Sequence, residues 1–263
     1  MTTGVLLLLA ATGLVAGAVV GRSWPRLWLA LTLVATAAAA TPAVMLFAGA
    51  PVWEWHSMFR VGGEPLHLRL DGISALFLVL VCTIGAAGAV YSREYWPDRQ
   101  YPESAARGRL CWSALILSMG FVLVSSNGLH FLIGWELFTL SAYFLITLDR
   151  QRRAVRSAGW LYLAASHAGT LCLFAFFASL AARTGSWDLG PMNSSDPRHT
   201  ALAPLFWLVL IGFGVKGGVF PLHVWLPSSH ANAPSHVSAV LSGVALKMGL
   251  YGIVPCSGWL PVP

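Results

Sequence analysis

The amino-acid sequence predicts an all-α, polytopic transmembrane bundle of about eight spans, with the seventh helix broken. Three observations predict it. The chain is 57% hydrophobic and 10% charged, with a mean hydropathy of +0.69, whereas soluble domains average about 25% charged residues. The apolar residues gather in runs of about 20, the length a helix needs to cross a bilayer core. All fourteen arginines fall between or at the ends of those runs, where a charge escapes the cost of mid-membrane burial.

The first run, 4–20, follows MTTG and has Arg22 and Arg26 behind it. A signal peptide carries its positive charge in front, so a retained helix is expected. Runs at 27–48 and 71–91 follow. Runs 110–126 and 128–148 are separated only by Ser125 to Gly128, SSNG. Together they are too long for one crossing, so a tight hairpin of helices is expected. The sixth, seventh and eighth runs are 157–182, 201–226 and 235–257.

Arginine placement orients the chain. The odd-numbered loops hold ten: Arg22, Arg26, Arg93, Arg99, Arg107, Arg109, Arg150, Arg152, Arg153 and Arg156. The even-numbered loops hold Arg60, Arg69, Arg183 and Arg198. Odd loops are therefore expected on the cytoplasmic side and the N-terminus outside.

Several function classes drop out. The pI of about 9.5 comes from loop arginines, and no basic stripe with interleaved aromatics marks a nucleic-acid surface. Cys82, Cys111, Cys172 and Cys256 are scattered, unlike the clustered thiolates of metal or iron–sulfur sites. GFGVKG at 212–217 matches the dinucleotide fingerprint in letters only; that motif needs a soluble strand–turn–helix unit. Close helix packing through Gly214 and Gly218, spaced as GxxxG, explains these glycines better. Asn193-Ser194-Ser195 forms a glycosylation sequon of low specificity. Most of the twelve tryptophans sit near span ends, where rings anchor at the interface. Trp135 and Trp225 instead flank the charged sites and shape the cavity there.

The seventh span holds five glycines or prolines between Gly212 and Pro221, namely Gly212, Gly214, Gly217, Gly218 and Pro221. Backbone groups freed by such a break are tolerated at membrane depth only inside protein or beside a wet cavity, and broken helices recur where transporters bind ions. Lys216 lies in the break, and the chain's other lysine, Lys247, lies in the eighth span. Glu136 is similarly immersed in the fifth, in FLIGWELFTLSAYFLI.

Two readings of these charges stand. Glu136 and one lysine form a static bridge, which leaves the second lysine unneutralised. Alternatively the lysines titrate: desolvation lowers a lysine's proton affinity and a nearby carboxylate raises it, so a changing Glu136–Lys216 distance would pass a proton toward Lys247. Lysine suits that task, because arginine stays protonated. His230 and His167 are candidate relay groups. His223 is equally a packed histidine or a relay, and His236 reads as interfacial. His56, His67, His130 and His199 are assigned no role. Asp71 and Asp149 fall at span borders, where a carboxylate stays hydrated.

The run GFGVKGGVFPLHVWLPSSHANAPSHVSAVLSGVALKMGLYGIV resembles the antiporter-like membrane subunits of respiratory complex I, multisubunit cation/proton antiporters and membrane-bound nickel–iron hydrogenases. Its HANAPSHVSAVLSGVALKMGLYG portion looks most like the hydrogenase-4 component B and formate hydrogenlyase subunit 3 branch. DGISALFLVLV from Asp71 and NGLHFLIGWELFTLSAYFLI from Asn127 support the likeness, which covers roughly 65–257.

The resemblance implies a fold of about fourteen helices built from two inverted five-helix repeats. On that pattern 1–107 is an N-terminal three-helix region, 108–258 the first repeat with a proton half-channel, and 259–263 a truncated end. It implies that Glu136 pairs with Lys216, that Lys247 continues a hydrated polar axis, and that His230 stands at a polar relay position. It further implies a non-redox, ion-translocating subunit of a hydrogenase or NADH/quinone oxidoreductase complex in a bacterial plasma membrane. Nickel–iron, iron–sulfur, flavin or quinone groups would belong to partner subunits, with none in this chain. The translocated ion is expected to be the proton, with sodium as the alternative. Other expectations are a subunit of a sodium/proton antiporter, or a non-conducting fragment.

Overall fold

The computed structural model describes residues 2–190 and 203–259. The sequon at Asn193, with Arg198 and His199, lies outside them. Among the described residues, seven helical stretches are long and apolar enough to cross a bilayer. Six are α1 (Thr2–Val20), α2 (Pro25–Phe47), α3 (Gly72–Tyr95), α4 (Ala105–Val124), α5 (Gly128–Ile146) and α6 (Arg153–Thr184). The seventh is Ser235–Cys256. The remaining expected crossing is carried by the shorter α7 (Ala203–Gly217), then turns over 218–225, then α8 (Leu226–Asn232). α9 (Ser235–Val240) and α10 (Leu246–Trp259) are joined into one rod by a π-helical turn, Leu241–Ala245.

Local chemistry sets the helix ends. Asp71, expected as a merely hydrated border residue, caps α3 by accepting from the Ser74 amide at 2.9 Å. Asn127 Oδ1 accepts from the Leu129 and His130 amides and so starts α5. These caps satisfy donors that a helix start leaves free, and the second makes the short SSNG link possible.

The bundle also carries a β-hairpin where the sequence reading had only loop. β1 (Trp53–Val61) pairs antiparallel with β2 (Glu64–Leu70) across Gly62 and Gly63, at φ +64° and +88°. Positive φ at both central residues is the twist that two-residue hairpin turns require. The hairpin does not stand free. The Ser126 amide donates to His67 O at 3.0 Å, and His130 Nε2 lies 3.1 Å from Val61 O. The Gly128 amide donates to Trp187 O, and the Leu189 amide to Ser126 O. The even-numbered connections thus meet at one end of the bundle.

The odd-numbered connections meet at the other. Arg109, buried in α4, donates through Nε to Gly21 O and through both terminal nitrogens to Asp98, at 2.9 and 2.7 Å. Arg107 donates to Leu148 O at 3.0 Å. Alternation of the helices therefore separates the arginine-rich connections from the arginine-poor ones, as expected.

The close helix contacts use other glycines than Gly214 and Gly218. A Cβ on Gly169 would lie 2.9 Å from Gly212 O, which fixes the α6–α7 approach. One on Gly249 would lie 2.5 Å from Gly217 N and 2.6 Å from Phe213 O, which fixes the α7–α10 crossing. Gly218 is not helical: its φ of +68° turns the chain out of α7. Gly214 faces Leu222 of the returning turn. The expected GxxxG face is thus replaced by Gly212 and Gly217, each opposite a glycine on a neighbouring helix.

Candidate functional site

α7 runs unbroken through Gly212 and Gly214 and ends at Gly217, so Lys216 occupies its last turn. The break therefore begins later than the first glycine suggested. Carbonyls freed there are taken up locally: Trp225 Nε1 donates to Val215 O at 2.8 Å, and the Val219 amide to Gly214 O at 2.9 Å. The last turn of α7 is buried, whereas Phe220 and Val224 in the turns that follow it are exposed. Pro221 lies in the returning turn and is exposed.

Lys216 is 2% exposed. Its ammonium donates to Thr139 Oγ1 on α5 at 2.8 Å, and to Tyr162 OH and Ser166 Oγ on α6 at 3.0 and 3.4 Å. An ammonium has three donors, and three hydroxyls meet them. The rings of Phe138, Tyr162 and Trp135 lie 4.5, 4.9 and 5.7 Å from Nζ, within cation–π range. Trp135 and Trp225 are both buried and form part of this wall; Trp225 also packs edge-on to Tyr162.

Glu136 does not bridge Lys216 directly. Its Oε2 lies 3.1 Å from His167 Nδ1 on α6, and its buried Oε1 has no hydrogen-bond partner. The two pairs are nevertheless stacked. Glu136 is one turn before Thr139 on α5, and His167 directly follows Ser166 on α6. Glu136 also acts on Lys216 electrostatically across that step. It borders a cleft of about 370 Å³ lined by Ile133, Leu137, Leu140, Thr170 and Phe174. At about 1.5 Å per residue, Glu136 stands about 13 Å into α5 from its Asn127 cap, near mid-bilayer.

Lys247 belongs to a second cluster. Its ammonium donates to Ser242 O in the π-helical turn. Ser242 Oγ donates to Ser238 O at 3.0 Å, and Ser238 Oγ lies 2.8 Å from His230 Nδ1. His230, Ser238, Ser242 and Lys247 are thus strung along the α8–α10 segment, with Ser242 exposed. No hydrogen bond or ion pair among the described residues joins this string to Lys216. The clusters are close in the fold all the same, since Gly217, next to Lys216, packs on Leu246 and Gly249, which flank Lys247.

Other expectations need correction or filling. His236 is 4% exposed and packed among Tyr95, Trp96 and Trp112, at the end of α3. His223 has a buried Nδ1 without a hydrogen-bond partner and lies beside Phe220. The hydroxyls of Thr139, Tyr162 and Ser166 were missed. So was His67, which is 8% exposed and sits between Glu54 Oε1 at 2.7 Å and Asp188 Oδ1 at 3.1 Å. The His67 hydrogen bond holds the Glu54 carboxyl below its ordinary value. The four cysteines are free thiols.

A multi-pass membrane bundle with a buried lysine at the end of a broken helix defines the class. Comparison with known proteins agrees. The chain belongs to the NADH:quinone oxidoreductase/Mrp antiporter transmembrane family, whose model matches residues 125–261. It is 34% identical over 189 residues to hydrogenase-4 component B of Escherichia coli, covering 72% of this chain and 28% of that protein. It is 27% identical to NADH-quinone oxidoreductase subunit M of Pseudomonas aeruginosa, covering 76% of this chain and 42% of that one. The fold superposes on a chain of the Mrp complex from Dietzia sp. with a TM-score of 0.81 at 23% identity, over 99% of this chain and 28% of that one. The resemblance read from the sequence is borne out, and this is a multi-pass membrane protein. The chain spans well under half the length of these curated relatives.

Proposed function

We propose that this chain forms a lysine-bearing proton half-channel, over residues 108–258, of an antiporter-like subunit in a complex I-related hydrogenase or quinone-reducing assembly. The supporting observation is the buried Lys216 ammonium on three hydroxyls at the end of a broken helix, one step from the Glu136–His167 pair. A lysine so desolvated holds its proton only through those contacts and the nearby carboxylate. When Glu136 turns from His167 toward Lys216, the lysine is favoured as the cation; when it turns back, the proton is released. Lys247 receives it, with Ser242, Ser238 and His230 continuing the path. The hand-off between the lysines needs the α7–α10 crossing to hydrate or the turn over 218–225 to move.

Redox groups belong to partner subunits in this reading, and the chain sits in a bacterial plasma membrane with its N-terminus outside. The test is proton uptake by inverted membrane vesicles carrying the assembled complex. Lys216→Ala is expected to abolish electron-driven uptake while the complex still assembles; normal pumping overturns the reading.

A second reading, a subunit of a gradient-driven sodium/proton antiporter, is supported by the family match, which takes in Mrp antiporters. Co-purification of nickel–iron or iron–sulfur subunits supports the first, and a purely membranous complex the second.

A further inference from the structure

We propose that Glu54, His56 and His67 on the β-hairpin form a binding site for a borderline divalent metal ion of the Zn²⁺ type, separate from the lysine clusters. His56 and His67 are directly opposite each other across β1 and β2, and Glu54 is two residues before His56, hence on the same face. The two imidazoles stack at 3.8 Å with an interplanar angle of 27°. One donor atom from each of the three residues falls within 4.8 Å of the others. His56 Nε2 lies 3.5 Å and His67 Nε2 2.7 Å from the same carboxylate oxygen, Glu54 Oε1.

Two ligand atoms on one tetrahedral zinc stand about 3.4 Å apart, given bonds of roughly 2.1 Å. The His56–Glu54 separation already has that value, and the His67–Glu54 contact needs a small opening. Two histidines and a glutamate with a fourth position left to water make a familiar zinc set, and imidazole selects zinc-like ions over magnesium or calcium.

The second, independent observation lies behind His67. Its Nδ1 faces Asp188 Oδ1 at 3.1 Å. A histidine that donates through one nitrogen to a carboxylate presents the other as a ligand in fixed orientation, the outer partner that metal-bound histidines generally have. His67 is also the inner, anchored member, with 10% side-chain exposure against 65% for His56. An ion there staples β1 to β2. Through Asp188 it also ties the hairpin to the connection after α6, which already pairs with Asn127.

The experiment uses the detergent-solubilised protein without a histidine tag. Co²⁺ is titrated as the optical probe, and Zn²⁺ is then added in competition. One equivalent of Co²⁺ with visible ligand-field bands, displaced by Zn²⁺, is expected. Asp188→Asn is expected to weaken Zn²⁺ binding by roughly 10–100-fold, and His56→Ala and Glu54→Gln by more. His56 and Glu54 are exposed, and circular dichroism checks that both variants keep the fold. Absence of stoichiometric Co²⁺ binding, or a loss below tenfold in both His56→Ala and Glu54→Gln, overturns the proposal.

Discussion

His167 Nδ1 lies 3.1 Å from Glu136 Oε2, so α6, and not the broken helix, holds the carboxylate of α5. Lys216 meanwhile is held by hydroxyls from both of those helices. The carboxylate thus has a partner of its own and the lysine has neutral ones, with no direct bridge between them. Breaking a tight Glu136–Lys216 bridge would leave a bare buried charge.

The first prediction concerns that pair. His167→Ala strands a carboxylate whose other oxygen already lacks a partner. It is expected to cost roughly 0.5–1.5 kcal/mol, the net worth of one hydrogen bond, since the two side chains are 44% and 30% exposed. Glu136→Gln in the His167→Ala background should recover part of the loss. Unfolding in mixed detergent across the double-mutant cycle reads the coupling; strict additivity of the two single losses counts against the pair.

Packing of α7 on α10 gives the second. A Cβ at Gly249 would sit 2.5 Å from Gly217 N and 2.6 Å from Phe213 O, both backbone atoms that no side-chain rotation can relieve. At Gly217 the nearest atom would be 3.7 Å away. Gly249→Ala should therefore destabilise by roughly 1–3 kcal/mol and Gly217→Ala by much less, as overpacking of a filled core does. The same unfolding assay ranks them, and the reverse order refutes the crossing.

Much of this site could be read from the residues. Lys216, Glu136 and Lys247 stood out because a charge inside an apolar run is costly and rare. Thr139, Tyr162 and Ser166 did not stand out. Thr139 Oγ1 also bonds the Trp135 carbonyl one turn back, as membrane threonines ordinarily do, so nothing in the letters marks it as a lysine acceptor. The hairpin is legible in the residues: Gly62-Gly63 between β-prone runs is a hairpin signal. Without that hairpin His67 reads as a loop residue. The end of α7 was misplaced because Gly212 and Gly214 resemble breakers, whereas packing against α6 and the returning turn keeps them helical.

The hairpin turn supplies the third prediction. Gly62 and Gly63 both have positive φ, which costs an L-residue roughly 1–2 kcal/mol. Gly62→Ala adds a clash with Leu129, 2.6 Å from the added carbon, whereas Gly63 has open space. Gly62→Ala should loosen the hairpin more than Gly63→Asn, since asparagine tolerates this region. Amide exchange at Ser126, which bonds His67 O, is the readout; equal protection in both variants contradicts the turn geometry.

The fourth rests on Arg109. Its guanidinium meets Asp98 through two nitrogens and Gly21 O through the third. Lysine cannot reproduce that planar fork. Arg109→Lys should cost roughly 1.5–3 kcal/mol, the range for hydrogen bonds to charged groups. The exposed Arg22→Lys should be near neutral. Thermal unfolding separates the two, and a neutral Arg109→Lys removes this clamp from the account.

The last returns to the lysine. Thr139→Val keeps the shape of the residue and removes one of three hydroxyls on Lys216. Tyr162→Phe removes a second and leaves the ring that faces the ammonium. Either change removes an oxygen acceptor that the Lys216 ammonium uses. If the site conducts as proposed, each should slow electron-driven proton uptake by about tenfold, one charge-assisted hydrogen bond's worth, without loss of assembly. Ser166→Ala, at 3.4 Å the longest contact, should do least. Vesicle uptake assays on the assembled complex rank the three. A ranking with Ser166→Ala as the most damaging would mean that the lysine is held in some other way than these three oxygens indicate.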